Sequence, residues 1–238
     1  MTVSHSIPFG LAWAGLAALL ATTPAPAADP VSLAYVGRFD TPLHLGKHRV
    51  NVEVVLGHYG LMSSTDTLAL IDLVDPPPPG TNVVIDSIIN IFDPYSTVTR
   101  PDGYVYANQF LGGLAIAHLD SGTLSLTYVD SIDEPGVYYE RMALVGDRLY
   151  VTAHAHGIRI FDLADPAAPT VVGSLDTGFD DAMAIAVAGT TAYVADGAGG
   201  LKVVDLTDEQ NPVIVAGEDP VSAAATAHDV LVRAGHVY

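Results

Sequence analysis

The chain has no cysteine. That excludes a disulfide scaffold, thiolate zinc sites, a cysteine nucleophile and a lipidated N-terminal cysteine. Basic residues are scarce: nine Lys and Arg stand against 27 Asp and Glu, a formal charge of −18. A polyanion partner needs clustered Lys and Arg, so nucleic acid is excluded as a ligand class. Glutamate is also rare, with five against 22 aspartates. Helical surfaces favour Glu, whereas Asp favours turns, where its short carboxylate accepts nearby backbone N–H groups. Mean hydropathy is nevertheless positive, +0.36. Beyond the N-terminus no apolar run approaches the roughly 20 residues of a spanning helix. The hydropathy comes from many short Val, Ile, Leu and Ala runs, cut by 22 Gly and 16 Pro.

Residues 1–28 contain no Asp, Glu, Lys or Arg. An apolar stretch from Phe9 to Ala21 is followed by Thr22-Thr-Pro-Ala-Pro-Ala-Ala28, with small residues at Ala25 and Ala27. This is the hydrophobic region and A-x-A cleavage pattern of a secretory signal peptide, although the basic n-region is missing. A membrane anchor is the competing reading, and the run is short for one. Residues 1–28 are therefore expected to be removed after Ala27 or Ala28, leaving no membrane span. The mature protein is expected to be periplasmic, on the cell surface or extracellular.

The remainder of the chain is one unit repeated. Tyr150-Val-Thr-Ala-His-Ala-His-Gly-Ile-Arg-Ile-Phe-Asp162-Leu163 aligns without gaps on Tyr193-Val-Ala-Asp-Gly-Ala-Gly-Gly-Leu-Lys-Val-Val-Asp205-Leu206, at an offset of 43. Offsets of 44, 46 and 45 place Tyr106 on Tyr150, Leu68 on Leu114 and Tyr193 on Tyr238. A recurrence of this length points to a repeat architecture. Within a copy the periodicity is two. Short β-branched or aromatic runs are bounded by Gly, Asp and Pro, and no amphipathic helix is indicated. Four antiparallel strands per unit predict an all-β protein, a β-propeller of four-stranded blades. A solenoid usually has shorter coils, and a tandem sandwich module of this size could not bury a core alone.

The expected propeller domain spans 29–238. Its blade repeats fall at about 48–92, 93–136, 137–180 and 181–225, with a partial fifth at 226–238. Ala34-Tyr-Val-Gly37-Arg-Phe-Asp40-Thr41 matches the fourth strand Thr170-Val-Val-Gly173-Ser-Leu-Asp176-Thr177, so 31–41 is expected to act as a closing strand. An open ring would leave sheet edges unpaired. The last copy stops within its second strand, which predicts a C-terminally truncated ring.

Leu68-Ala-Leu-Ile-Asp72-Leu-Val-Asp75-Pro76, Ile158-Arg-Ile-Phe-Asp162-Leu-Ala-Asp165-Pro166 and Leu201-Lys-Val-Val-Asp205-Leu-Thr-Asp208 resemble the LVIVD repeat. The second copy departs from it, with His118 at the Asp position. The resemblance implies a propeller and an exported prokaryotic protein. It carries no established catalytic set.

Among candidate sites, Asp72, Asp162 and Asp205 recur before a turn, and Tyr106, Tyr150 and Tyr193 recur in the second strand. A catalytic residue is needed once and a structural one in every blade. These aspartates are therefore read as turn organisers and the tyrosines as inter-blade packing. Ca²⁺ held by the Asp-rich turns, as a structural ion, is the one cofactor considered.

Function sits more often where copies differ. Loops entering the inner strands bring His48, Arg49, Tyr138, Glu140, Arg141, Asp181, His228 and Asp229 to one face, at the channel mouth. Convergent polar groups there would form a small-ligand or metal site. His154 and His156 are a second metal candidate. At i and i+2 of a strand they would share a side, but the segment falls where the next copy has a glycine-rich turn.

The composite reading is an exported, non-enzymatic propeller that binds another protein or a cell-surface component. The alternative is a hydrolase or lactonase-like metalloenzyme with its site at the channel mouth.

Overall fold

A computed structural model describes residues 51–238, apart from 57–58, 65–66, 73–83, 90, 92–93, 95, 110–111 and 219–224. Before residue 51 it describes one antiparallel pair, β1 (Ala17–Ala18) with β2 (Ala34–Tyr35). The expected leader and closing strand otherwise lie outside the described residues, as do His48 and Arg49.

Every described element is a strand. Four four-stranded antiparallel meanders succeed one another. Blade 1 holds β3 (Asn51–Val55), β4 (Tyr59–Ser64), β5 (Thr67–Asp72) and β6 (Val84–Ile89). Blade 2 holds β7 (Thr97–Thr99), β8 (Tyr104–Asn108), β9 (Gly113–Asp120) and β10 (Ser125–Asp133). Blade 3 holds β11 (Met142–Val145), β12 (Arg148–Thr152), β13 (Ile158–Asp162) and β14 (Thr170–Leu175). Blade 4 holds β15 (Ala184–Ala188), β16 (Thr191–Ala195), β17 (Leu201–Asp205) and β18 (Val213–Glu218). A hairpin, β19 (Val232–Arg233) with β20 (His236–Val237), begins a fifth unit. The first strands stand side by side, β3 by β7, β7 by β11, β11 by β15 and β15 by β19, which makes them the inner strands of a propeller.

The apolar runs make sense once both faces of each blade are considered. On β12, Leu149 and Val151 pack with Tyr106, Leu114 and Ile116 of blade 2. Tyr150 between them packs the other way, with Ala192, Val194 and Val204 of blade 4. Successive strand side chains point to opposite faces, so a sheet covered on both sides must be apolar at every position. The cores therefore lie between blades, and burying each large side chain contributes roughly 1.5–3 kcal/mol.

The fourth strand bulges at one repeat position in all four blades. Ile85, Val129, Val172 and Val215 are the extra residues, opposite the shifts at Leu70/Ile71, Ala117/Ile116, Ile160/Phe161 and Val203/Val204. A bulge increases local twist, and its recurrence gives each outer strand the same bend. Close approach between blades fixes Gly173: a Cβ there would lie 1.8 Å from the Glu209 carbonyl oxygen.

The connections fall on two ends. Hairpins from first to second and from third to fourth strand form a turn face. Links from second to third strand, and from each fourth strand to the next blade, form a loop face. The predicted channel-mouth residues that are described all belong to the loop face.

Candidate functional site

Residues that recur among blades make corresponding contacts at several of the interfaces. Tyr106 Oη donates to Pro166 O at 2.9 Å, in the Asp-Pro turn of the following blade. Tyr150 Oη donates to Glu209 Oε1 at 2.7 Å, at the equivalent place one blade on. Arg148 Nε donates to the other oxygen of Glu209 at 2.6 Å and Arg148 also pairs with Asp162 at 3.1 Å. Burial pushes the Tyr106 and Tyr150 hydroxyls up from their ordinary range. Tyr193 faces onward, packing with Ala195, Leu201 and Val230. Asp162 Oδ1 accepts from Ala164 N at 2.7 Å, and Asp205 Oδ1 accepts from Thr207 N at 2.8 Å. Asp72 ends β5 opposite Tyr59. In blade 2 the cross-strand pair Arg148–Asp162 is replaced by Tyr104 and His118, packed edge to face with centroids 5.0 Å apart.

Where blade 1 meets blade 2 both halves of the tyrosine contact are missing. Leu61 takes the tyrosine position, and the third strand of blade 2 turns at Asp120–Leu124 without an Asp-Pro. A cleft of about 450 Å³ opens on this turn face, lined by Glu53, Arg100, His118 and Asp120 among others.

On the loop face the copies diverge. His154 occupies the repeat position of Gly197. Both residues bridge to the next blade, His154 to Ala182 and Gly197 to Ala227, and both have positive φ, +51° and +54°. That conformation suits glycine, and a histidine there costs energy. The ring is held from two blades. His154 Nδ1 lies 2.6 Å from Asp181 Oδ1, and Nε2 lies 3.3 Å from Glu140 Oε2. The Glu140 side chain is only 6% exposed. Hydrogen bonding to Glu140, with Asp181 adding to it, outweighs partial burial and raises the imidazole above its ordinary pKa. Carboxylates facing both ring nitrogens favour the protonated form of the imidazole. His156, the expected second metal ligand, is exposed two residues on.

Glu140 has repeat counterparts in Met183 and His228. Glu140 N donates to Thr152 O, and Met183 N donates to Ala195 O, the corresponding carbonyl. His228 comes after Ala227 as Met183 comes after Ala182. These two side chains meet: His228 Nδ1 is 3.1 Å from Met183 Sδ, and its Nε2 is 2.6 Å from Thr226 Oγ1. Asp229 is exposed and accepts from Val230 N at 2.9 Å. Tyr138 is 41% exposed, and Arg141 is also exposed. The described candidates thus divide into a Glu140–His154–Asp181 group and a Met183–His228 contact, with Tyr138, Arg141 and Asp229 outward. No group of three His, Asp or Glu side chains arranged for a metal ion occurs among the described residues.

Two further groups escaped sequence reasoning. Arg159, with a side chain 8% exposed, donates to Glu134 at 2.8 Å and to the His156 carbonyl at 3.0 Å, and pairs with Asp176. Tyr139 Oη also donates to Glu134, at 2.5 Å. Burial pushes the Glu134 carboxyl up, but the hydrogen bonds from Arg159 and Tyr139 prevail and hold it below the usual range. Asp196 is fully buried; its Oδ1 accepts from Asp180 N at 2.9 Å and Asp181 N at 2.8 Å. Its Oδ2 has no hydrogen-bond partner, with Lys202 Nζ 3.9 Å away, and burial raises its pKa. The available signal was Arg159 and Lys202 at one repeat position, rare cations within apolar strands.

Side chains locking neighbouring blades, with divergent loops at one end, define a propeller-type repeat protein. Residues 138–177 and 180–216 match the family model described as LVIVD repeat, and these two segments are LVIVD repeats. No curated protein matches the chain. Among solved structures, a functionally unknown protein from Desulfotomaculum acetoxidans superposes with a TM-score of 0.60 at 13% identity, over 77% of this chain and 59% of that one. A periplasmic gluconolactonase from Pseudomonas aeruginosa gives 0.59 at 11% identity, over 74% and 58%. A putative 6-phosphogluconolactonase from Bacteroides fragilis gives 0.59 at 14%, over 79% and 60%. At these identities the likeness concerns the fold. The chain spans little more than half the length of these structures.

Proposed function

We propose that the protein is an exported recognition module that binds a basic protein or cell-surface segment through its loop face. The observation that carries this is the charge of that face. Asp133, Asp180, Glu218 and Asp229 are exposed there, alongside the partly exposed Asp181, whereas Arg141 is the one exposed Lys or Arg among its described residues. The turn face is acidic too, but Asp102 and Asp147 there pair with Arg100, and Asp165 and Asp208 recur from copy to copy. The loop-face carboxylates sit in the segments that vary between copies, as recognition on a rigid scaffold requires. Complementary charge would speed encounter with a basic partner and weaken with salt. Export rests on the leader-like residues 1–28.

The test is binding of a lysine- and arginine-rich peptide to the wild type and two triple variants. Asp133→Asn, Asp180→Asn and Glu218→Gln remove three negative charges from the loop face. Asp120→Asn, Asp165→Asn and Asp208→Asn remove the same charge from the turn face. Affinity should fall only in the first variant. Equal losses in both would show attraction to net charge and refute a recognition face.

A hydrolase reading draws on one observation, the Asp181–His154–Glu140 alignment at the channel mouth, and on the two lactonase-named neighbours. It ranks second because both ring nitrogens already face carboxylates. Lactone hydrolysis abolished by His154→Ala would favour it; no turnover across aldonolactones would remove it.

A further inference from the structure

The short contact between Met183 and His228 is unlike the rest of the loop face. The other candidate groups there are oxygen, phenol or guanidinium groups and the His154 imidazole held between two carboxylates. Here a thioether sulfur and an imidazole nitrogen, from equivalent positions of successive units, stand 3.1 Å apart. Thr226 Oγ1 sits 2.6 Å from the other ring nitrogen. When Nε2 carries the proton and donates it to that hydroxyl oxygen, Nδ1 turns a lone pair onto the sulfur. When Nδ1 carries the proton instead, it donates to the sulfur; a metal ion that displaces that proton would be held by both atoms.

We propose that Met183 and His228 form a binding site for monovalent copper at the channel mouth. Zinc bonds thiolate sulfur at about 2.3 Å and histidine nitrogen at about 2.0–2.1 Å, and lengths of that order set the scale for a first-row metal here. With the donors 3.1 Å apart, a metal at those lengths has a bond angle near 90°, leaving room for a third ligand. The donor set decides the metal. A neutral thioether is a soft ligand that suits Cu(I) and is a poor one for Ca²⁺ or Mg²⁺. Thr226 plays the outer-shell part, its hydroxyl holding the ring's orientation through the other nitrogen, a role whose loss commonly weakens metal binding roughly 10–100-fold. Met183 is half-buried and His228 exposed, so an ion can reach both. The site uses none of the carboxylates of the proposed recognition face, although Asp181 and Asp229 are near it in sequence, and does not depend on that reading.

The experiment is anaerobic titration of the full chain with Cu(I) against a chromophoric chelator, followed by X-ray absorption at the copper edge. One retained equivalent with a sulfur neighbour at about 2.3 Å is expected. Met183→Leu, close to volume-neutral, should remove the sulfur signal and the retention, and so should His228→Gln. Met142→Leu should leave both intact, and Thr226→Val should weaken retention by about 10-fold or more. Copper held without sulfur, retention indifferent to Met183→Leu and His228→Gln, or no retained copper would each overturn the proposal. Unchanged thermal melting of the variants in the absence of metal separates lost binding from lost folding.

Discussion

Replacing His154 with glycine sets two effects against each other. Glycine is what blade 4 uses at this position, and it relieves a φ of +51°, a gain of about 1 kcal/mol. The substitution also removes the donor that joins Glu140 of blade 3 to Asp181 of blade 4. The Glu140 contact belongs to a carboxylate only 6% exposed, and a hydrogen bond to a charged group contributes roughly 1.5–3 kcal/mol. The Asp181 carboxylate is 43% exposed, so solvent screening leaves about 0.5–1 kcal/mol there. The net is a loss of about 1–3 kcal/mol. At roughly 2–4 °C per kcal/mol for a domain this size, melting falls by about 2–12 °C. The pH dependence gives a second check. The folded-state pKa of His154 is raised. Its stabilisation is therefore complete below the unfolded value of about 6.5 and fades as pH rises through the folded value. The gap between wild type and His154→Gly should be widest at pH 5.5–6.5 (roughly) and close on the alkaline side. His154→Asn, which tolerates positive φ and does not titrate, should track the glycine variant. Urea unfolding across this range measures it. Equal stability at pH 6, or a gap that widens with pH, would refute the reasoning.

Three other substitutions probe the blade interfaces. Tyr150→Phe should cost about 1–2 kcal/mol, and less in a Glu209→Gln background, because the lost bond is to a charged acceptor; additivity in the double-mutant cycle would contradict a direct contact. Gly173→Ala should cost about 3 kcal/mol or more, or prevent folding, since its Cβ meets the Glu209 backbone, while Gly146→Ala, with open space at its Cβ, should cost about 1 kcal/mol. Arg159→Met should destabilise by about 2–3 kcal/mol, below the full figure for a buried pair because Glu134 and Asp176 are partly exposed; a change under about 0.5 kcal/mol in chemical unfolding would refute its role as an interface lock.

The blades were legible because their physics is local and repeated. A period of two, turn residues at fixed offsets and the Tyr150 and Tyr193 register mark strands directly. The loop face could be located from where copies differ, which brought Glu140, Asp181 and His228 forward. Their pairing could not. The partners of His154 lie 14 and 27 residues away, and alternation says nothing once a residue adopts positive φ. The i, i+2 relation of His154 and His156 holds on a strand, but here the chain turns between them. Arg159 was hidden by its setting among Ile158, Ile160 and Phe161, a run that reads as core. Its partner Glu134 belongs to the link between blades, a separation no strand pattern encodes. The cleft beside His118 was half visible, in the missing Asp-Pro of the second copy.

The central claim is that recognition belongs to the loop face. Hydrogen exchange of the full chain, with and without a lysine- and arginine-rich peptide, tests it most directly. The account predicts slowed exchange in the links around 133–141, 176–183 and 225–230, with the hairpins around 100–103, 145–148 and 188–191 unchanged. Protection centred on those hairpins, or spread evenly over both ends of the blades, would contradict it.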